Sequence, residues 1–239
     1  MRLLLLGGTA EARELAAAGV AAGHQVTSSL AGRVADPLLP VGEVRVGGFG
    51  GVAGLVEHLE GGGYDAVVDA THPFAATMTD HAARACASAG VPHLVLRRPG
   101  WPLDPAYELV ADHAAAARAV SGRVFLTIGR QEVAAYAGSE AWFLIRAIEP
   151  PPGPVPGHHE LLLARGPFGL EDELALMRDR SIEVLVTKDS GSPATEAKLE
   201  AARMLGVRVV MIARPRLPVG VEAVETVDAA LDWLARHSG

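Results

Sequence analysis

The sequence predicts an α/β protein of two parallel-sheet domains with a cleft between them, and two observations carry that prediction. Short continuous apolar runs alternate along the chain with Ala-, Leu- and Glu-rich stretches of helical length. A strand covered by helices on both faces of a parallel sheet reads as such a run, and strand–helix alternation implies right-handed crossovers. Five runs also end in loops rich in glycine and polar residues: Leu3–Leu6 into Gly7-Gly8-Thr9, Ala66–Ala70 into Thr71-His72-Pro73, Val124–Leu126 into Thr127-Ile128-Gly129-Arg130, Leu161–Leu163 into Ala164-Arg165-Gly166-Pro167, and Val184–Val186 into Thr187-Lys188-Asp189-Ser190-Gly191. Open α/β sheets bind ligands outside the carboxyl ends of their strands, so these loops hold the candidate chemistry.

In the first half the order is strand Leu3–Leu6, helix Ala10–Ala22 stopped by Gly23, strands Gln25–Leu30 and Val44–Val46, and helix Val52–Leu59 ended by Gly61-Gly62-Gly63. Strand Ala66–Ala70, helix Ala75–Ala89 and strand His93–Leu96 follow. Arg97–Pro105 holds three prolines and a glycine, so it neither continues a helix nor joins a ladder. It sets the domain boundary, with residues 1–100 in one domain and 101–239 in the other. The second half reads as strand Val124–Leu126, a helix near Glu132–Tyr136, strand Trp142–Ile148, the five-proline loop Glu149–Gly157 and strand Glu160–Leu163. Helix Leu170–Arg178, strand Glu183–Val186, helix Ala194–Leu205, strand Arg208–Ile212 and helix Thr226–His237 complete it.

A net charge of −7 argues against a basic nucleic-acid-binding face, while leaving room for local Arg and Lys clusters. No apolar run approaches the ~20 residues of a membrane helix, and Leu3–Leu6 is too short for a signal-peptide core. The single cysteine, Cys86, reads as a small core residue on a helix. No Cys/His cluster suggests a metal site. A cytoplasmic protein is expected.

Gly7-Gly8-Thr9 follows a strand and opens a helix, where backbone N–H groups and the helix dipole favour an anion. Gly7-Gly8-Thr9-Ala10-Glu11-Ala12 matches the dinucleotide fingerprint only in part. The end of the second strand carries Thr27-Ser28-Ser29-Leu30-Ala31-Gly32-Arg33. It lacks the acid that binds the ribose hydroxyls of NAD and offers hydroxyls and Arg33, which suits the 2′-phosphate of NADPH. The alternative is that Arg33 is a solvated loop charge. Gly47-Gly48-Phe49-Gly50-Gly51 either lets the backbone approach a cofactor or is a flexible connection.

With these residues assembled, the chain resembles the precorrin-6A reductase family of cobalamin biosynthesis. The resemblance is carried by LLLLGGTAEARELA, SSLAGRV, VGGFGG, DAVVDATHPFA, the TIGRQ loop, LLLARGPF, LVTKDSGSPATEAKLEAAR and VVMIARP, in this order over nearly the whole chain. It implies two Rossmann-like domains, NADPH as cofactor, and hydride transfer to the precorrin-6A macrocycle giving precorrin-6B. Gly7, Gly8, Thr9, Glu11, Ser28, Ser29, Arg33 and Gly48 are then the cofactor side. The substrate is a large ring fringed with carboxylates, so Arg, Lys, hydroxyl and backbone N–H groups should recognise it. Thr71, Thr127, Gly129, Arg130, Arg165, Lys188, Ser190 and Gly191 are the expected substrate residues. Ser192 and Pro193 read as a helix cap and first-turn proline, whereas Lys188 has no such structural duty. Asp189 either orients Lys188 or relays a proton. His72 is the candidate acid, because its ordinary pKa suits proton donation near neutrality; the rival is that it holds its loop or packs on the cofactor while water donates. His158 and His159 read as solvated.

Other function classes remain beside this one. The Tyr-x-x-x-Lys pair of short-chain reductases is absent, since Tyr64, Tyr107 and Tyr136 have no lysine four residues on. The cobalt-containing substrate of the anaerobic branch, or a protein that sequesters a tetrapyrrole or nucleotide without turnover, are the alternatives. Transient handover to neighbouring pathway enzymes is also expected.

Overall fold

The computed structural model describes residues 1–32 and 38–238. The chain divides into two compact units, Met1–Pro99 with Pro215–Gly239, and Gly100–Arg214.

The first unit begins with β1 (Arg2–Leu6), α1 (Ala10–Ala21), β2 (Gln25–Leu30), β3 (Glu43–Val46) and α2 (Gly51–Gly62). It continues with β4 (Ala66–Asp69), α3 (Ala76–Ala89) and β5 (His93–Leu96). Successive strand residues face opposite sides of a sheet, and the unbroken Leu3–Leu6 run uses both. Leu3 and Leu5 pack with Leu15 of α1, while Leu4 and Leu6 pack with Leu55 and Leu59 of α2 and with Ala82 and Cys86 of α3. The continuous apolar run therefore reflects two helical layers, as the sequence reading required.

The second unit holds β6 (Glu108–Val110), α4 (His113–Ala119), β7 (Arg123–Thr127), β8 (Trp142–Ala147), β9 (His159–Leu163) and α5 (Leu170–Asp179). It ends with β10 (Val184–Lys188), α6 (Ala197–Leu205) and β11 (Arg208–Ile212). One face of its sheet packs Phe125, Leu144, Leu185 and Met211 against Leu174 and Met177 of α5 and Leu199 and Ala202 of α6.

The chain then returns to the first unit with β12 (Glu222–Val224) and α7 (Val227–Arg236). Among the described residues the two sheets are six-stranded, in the orders β12-β5-β4-β1-β2-β3 and β6-β11-β10-β7-β8-β9. All the pairings are parallel. Read from β3, the first sheet has the 3-2-1-4-5-6 order of a dinucleotide-binding Rossmann sheet, with β12 as its sixth strand. Read from β9, the second repeats the order, with β6 in the sixth place.

The C-terminal segment corrects the sequence-based domain limits. Residues from Pro215 onward belong with the first unit, not with 101–239 as one piece. β12 pairs with β5 through Ala223↔Val95, and Val227, Ala230, Trp233 and Leu234 of α7 join the core around Leu3 and Leu15. Trp233 Nε1 donates to Glu222 at 2.8 Å, tying α7 to β12. Smaller differences have local causes. The helix expected near Glu132–Tyr136 is one 3₁₀ turn, Val133–Tyr136. The helix expected from Ala194 begins at Ala197, after a 3₁₀ turn at Pro193–Thr195. Ser192 stands at the cap position of that turn, but its hydroxyl makes no capping bond; its carbonyl accepts from Thr195 N at 3.1 Å.

Candidate functional site

In the first unit the strand order reverses between β1 and β4, and their following loops flank that point. Gly8 adopts φ +117°, a conformation that favours glycine, and a side chain there would meet nothing within 4 Å. Gly7 N donates to Ser29 O at 2.9 Å, which binds the turn to β2. Thr9 caps α1 by accepting from Ala12 N at 3.1 Å and donates to Ala70 O at 2.8 Å, so it clamps the two loops together. Ser28 is buried with an unpartnered hydroxyl and shares a shallow hollow with Gly7, Gly8, Ala12 and Leu30. Glu11 is ion-paired with Arg98 at 2.7 Å.

Arg33 lies outside the described residues. Arg45 of β3 stands beside this loop and was not singled out by the sequence. Its guanidinium donates to Ser29 Oγ at 2.7 Å, to Gly47 O at 3.1 Å and to Gly48 O at 3.2 Å, and lies 3.9 Å from the Phe49 ring centre. Its sequence signal is its position two residues before the glycine pair.

The loop after β4 is organised by Asp69, another residue the sequence reading passed over. One carboxylate oxygen accepts from Thr71 N at 3.0 Å and Thr71 Oγ1 at 2.6 Å, and the other from Thr79 Oγ1 at 2.6 Å. A buried carboxylate with three donors fixes the loop that presents His72. His72 Nδ1 accepts from Phe74 N at 3.2 Å, so the neutral ring carries its proton on Nε2.

In the second unit the order reverses between β7 and β10, where Thr187 pairs with Thr127. This brings the Thr127–Arg130 loop beside Lys188–Gly191. Lys188 is the last residue of β10 rather than the first of its loop, and is half-buried. Thr127 Oγ1 donates to Val186 O at 3.0 Å, and Arg130 pairs with Glu149 at 3.1 Å. Gly129 and Gly191 turn their loops at φ +80° and +65°. Ser190 is buried, its N–H donating to Lys188 O at 2.7 Å. Arg165 is exposed and follows β9, two strands from β7, hence on the order of 10 Å away across the sheet. Asp189 accepts from Trp101 N at 3.1 Å and pairs with Arg214 at 3.1 Å, so it anchors the 100–101 and 214 segments.

Electrostatics add two residues the sequence did not mark. His113, at the first position of α4, is held below its ordinary pKa by burial, with Lys188 adding to the effect. Lys198 of α6 is 3% exposed, and burial, reinforced by Arg146, pulls it from 10.5 down to about 7. No group of three or more His, Cys, Asp or Glu able to hold a metal occurs among the described residues. No helix among them is long and apolar enough to cross a membrane.

Comparison with known proteins agrees with this architecture. The family model described as "Precorrin-6x reductase CbiJ/CobK" matches residues 2–235. Precorrin-6A reductase of Rhodococcus erythropolis is 55% identical over 98% of this chain and 97% of its own length. That of Mycobacterium tuberculosis is 54% identical over the same shares. A solved structure named CobK precorrin-6A reductase superposes with a TM-score of 0.91 at 40% identity, covering 100% of this chain and 98% of that one. Two sheets with Rossmann order, a glycine turn at one reversal point, a lysine loop at the other, and full-length relatives lead to one conclusion: the chain belongs to the precorrin-6x reductase family.

Proposed function

We propose that this protein reduces precorrin-6A with NADPH, giving precorrin-6B and NADP⁺. A reductase of this family implies a nicotinamide cofactor; the choice of NADPH rests on the first unit. The observation that carries it is the open Gly8 turn at the reversal point of a 3-2-1-4-5-6 sheet, with Arg45 at the neighbouring strand end. A dinucleotide fits this group: N–H groups at the start of α1 face anions, Ser28 offers an unpartnered hydroxyl, and the described part of β2 carries no acid to repel a 2′-phosphate. Gly7, Gly8, Ser28, Ser29, Gly48 and Arg45 would hold it. Thr9 and Glu11 act indirectly, through the cap and through Arg98. NADPH, when bound, supplies the hydride.

On the substrate side, Lys188, Arg130 and Arg165 meet ring carboxylates, while Thr127, Gly129, Ser190 and Gly191 shape the loops between them. Thr71 supports its own loop through Asp69. Asp189 acts as a positioning residue rather than a relay, because both its contacts are structural. His72 holds its loop through the bond from Phe74 N to Nδ1, which favours the neutral ring, and water supplies the proton. The names of the relatives above half identity favour the cobalt-free substrate. The reaction belongs in the cytoplasm, where NADPH is regenerated, and its product passes onward to the next enzyme.

The test follows NADPH oxidation by its near-ultraviolet absorbance with precorrin-6A present. Stoichiometric oxidation with formation of precorrin-6B is expected. Binding of both ligands without oxidation would replace this reading with sequestration.

A further inference from the structure

Three polar groups in the second unit are buried without the partners that buried groups normally have. Lys198 has no hydrogen bond or ion pair among the described residues; its Nζ lies 5.0 Å from the Trp101 ring centre. Trp101 Nε1 and Glu173 Oε2 are buried and unbonded. The other Glu173 oxygen accepts from Arg146 at 2.6 Å, so that carboxylate is already neutralised. Arg146 is itself packed 3.7 Å from the Phe168 ring centre and 4.8 Å from that of Phe125.

The group therefore holds more unpartnered donors than acceptors. An ammonium and an indole N–H are donors only, and they face one unbonded acceptor, Glu173 Oε2, whose carboxylate is already paired with Arg146. The charged neighbours of Lys198 are Arg146 from β8, Glu173 from α5 and Lys188 from β10, giving an excess of positive charge. Lys198 is also the second residue of α6, where the helix dipole favours an anion, and the Glu196 that precedes the helix makes no side-chain cap. Trp101 N donates to Asp189, so the cluster adjoins the Lys188 loop.

We propose that Lys198 and Trp101 form a carboxylate subsite that receives one acidic side chain of the macrocycle, its ammonium and indole N–H donating to the two oxygens. This rests on the function proposed above. The incoming carboxylate supplies the missing counter-ion. Lys198 then takes up a proton as the carboxylate binds, because the anion restores the ammonium that burial disfavours.

The experiment is titration calorimetry of precorrin-6A into protein saturated with NADP⁺, which prevents turnover. It is run at pH 8 in two buffers of different ionisation heat. Ring carboxylates are ionised at that pH and ordinary histidines neutral, so uptake of roughly 0.8 proton per site reports Lys198 moving from its free value of about 7 to well above 8. Lys198→Met abolishes the uptake and weakens precorrin-6A binding roughly 10- to 100-fold, with NADP⁺ affinity unchanged. Lys198→Arg, charged at every pH, retains binding without uptake. Binding with no proton uptake in the wild type, or uptake that persists in Lys198→Met, overturns the subsite and leaves the function standing. Absence of precorrin-6A binding to the wild type overturns the function and the subsite together.

Discussion

Burying an ammonium without a counter-ion opposes folding, and the sign of that effect at Lys198 is open to measurement. Its folded-state pKa of about 7 lies below the ordinary 10.5. Between those values the unfolded chain binds a proton that the folded chain does not, so this group makes stability rise with pH across the window. Below about pH 7 the penalty is complete. Urea denaturation should find Lys198→Met more stable than the wild type by a few kcal/mol at pH 6, the advantage shrinking as pH approaches 10.5. Equal stabilities at pH 6 would show that the ammonium is not buried as described. Arg45 makes a second prediction at this scale. Arg45→Gln should raise KM for NADPH roughly 10- to 100-fold, the loss of one charge-assisted contact, with little change for NADH. A uniform loss with both cofactors would reduce Arg45 to a loop anchor for Gly47 and Gly48. Cys86 offers a third. Burial pushes its thiol up to about 12, so a thiol reagent should leave the native protein unlabelled at pH 8 and label it once unfolded.

At the scale of elements, side-chain clamps hold the strand-end loops in place. Thr9 serves the cap of α1 and the carbonyl of Ala70 at once. Thr9→Ala should cost about 1–2 kcal/mol in thermal or urea unfolding and raise KM for the cofactor, since the Gly7-Gly8 turn loses its tie to the loop after β4. Unchanged stability would assign the cap no weight. Much of this level was legible in the chain: continuous apolar runs announced buried strands, because Leu3–Leu6 must satisfy two helical layers. The clamps were not. Asp69 sits inside an apolar run, where nothing in the sequence says that two threonines will supply its donors. Arg45 lies in a short, partly exposed strand, and only pairing in register with β2 sets it beside Ser29.

At the scale of the whole molecule, the sixth strand of the first sheet comes from the far end of the chain. A chain ending at Arg214 would leave β5 an open edge and strip Trp233 and Leu234 from the core around Leu3 and Leu15. Such a chain should lose cooperative unfolding of the first unit and its cofactor binding, read by hydrogen exchange and calorimetry; retention of both would make β12 and α7 accessory. The sequence by itself determined the α/β class, the order of most elements, and the loops at strand ends, because burial on two faces and turn formation are local requirements that residue types must meet. Only the tertiary structure decided that residues beyond Pro215 complete the first sheet, that Asp189 braces Trp101 and Arg214, and that Lys198 is buried beside Trp101. A three-residue strand carries too little pattern to announce its partner, and the burial of a charge depends on what distant segments bring to it. The sequence, through its family resemblance, already divided the strand-end loops into a cofactor side and a substrate side, and the fold sets the glycine turn and the lysine loop each at the reversal point of its own sheet.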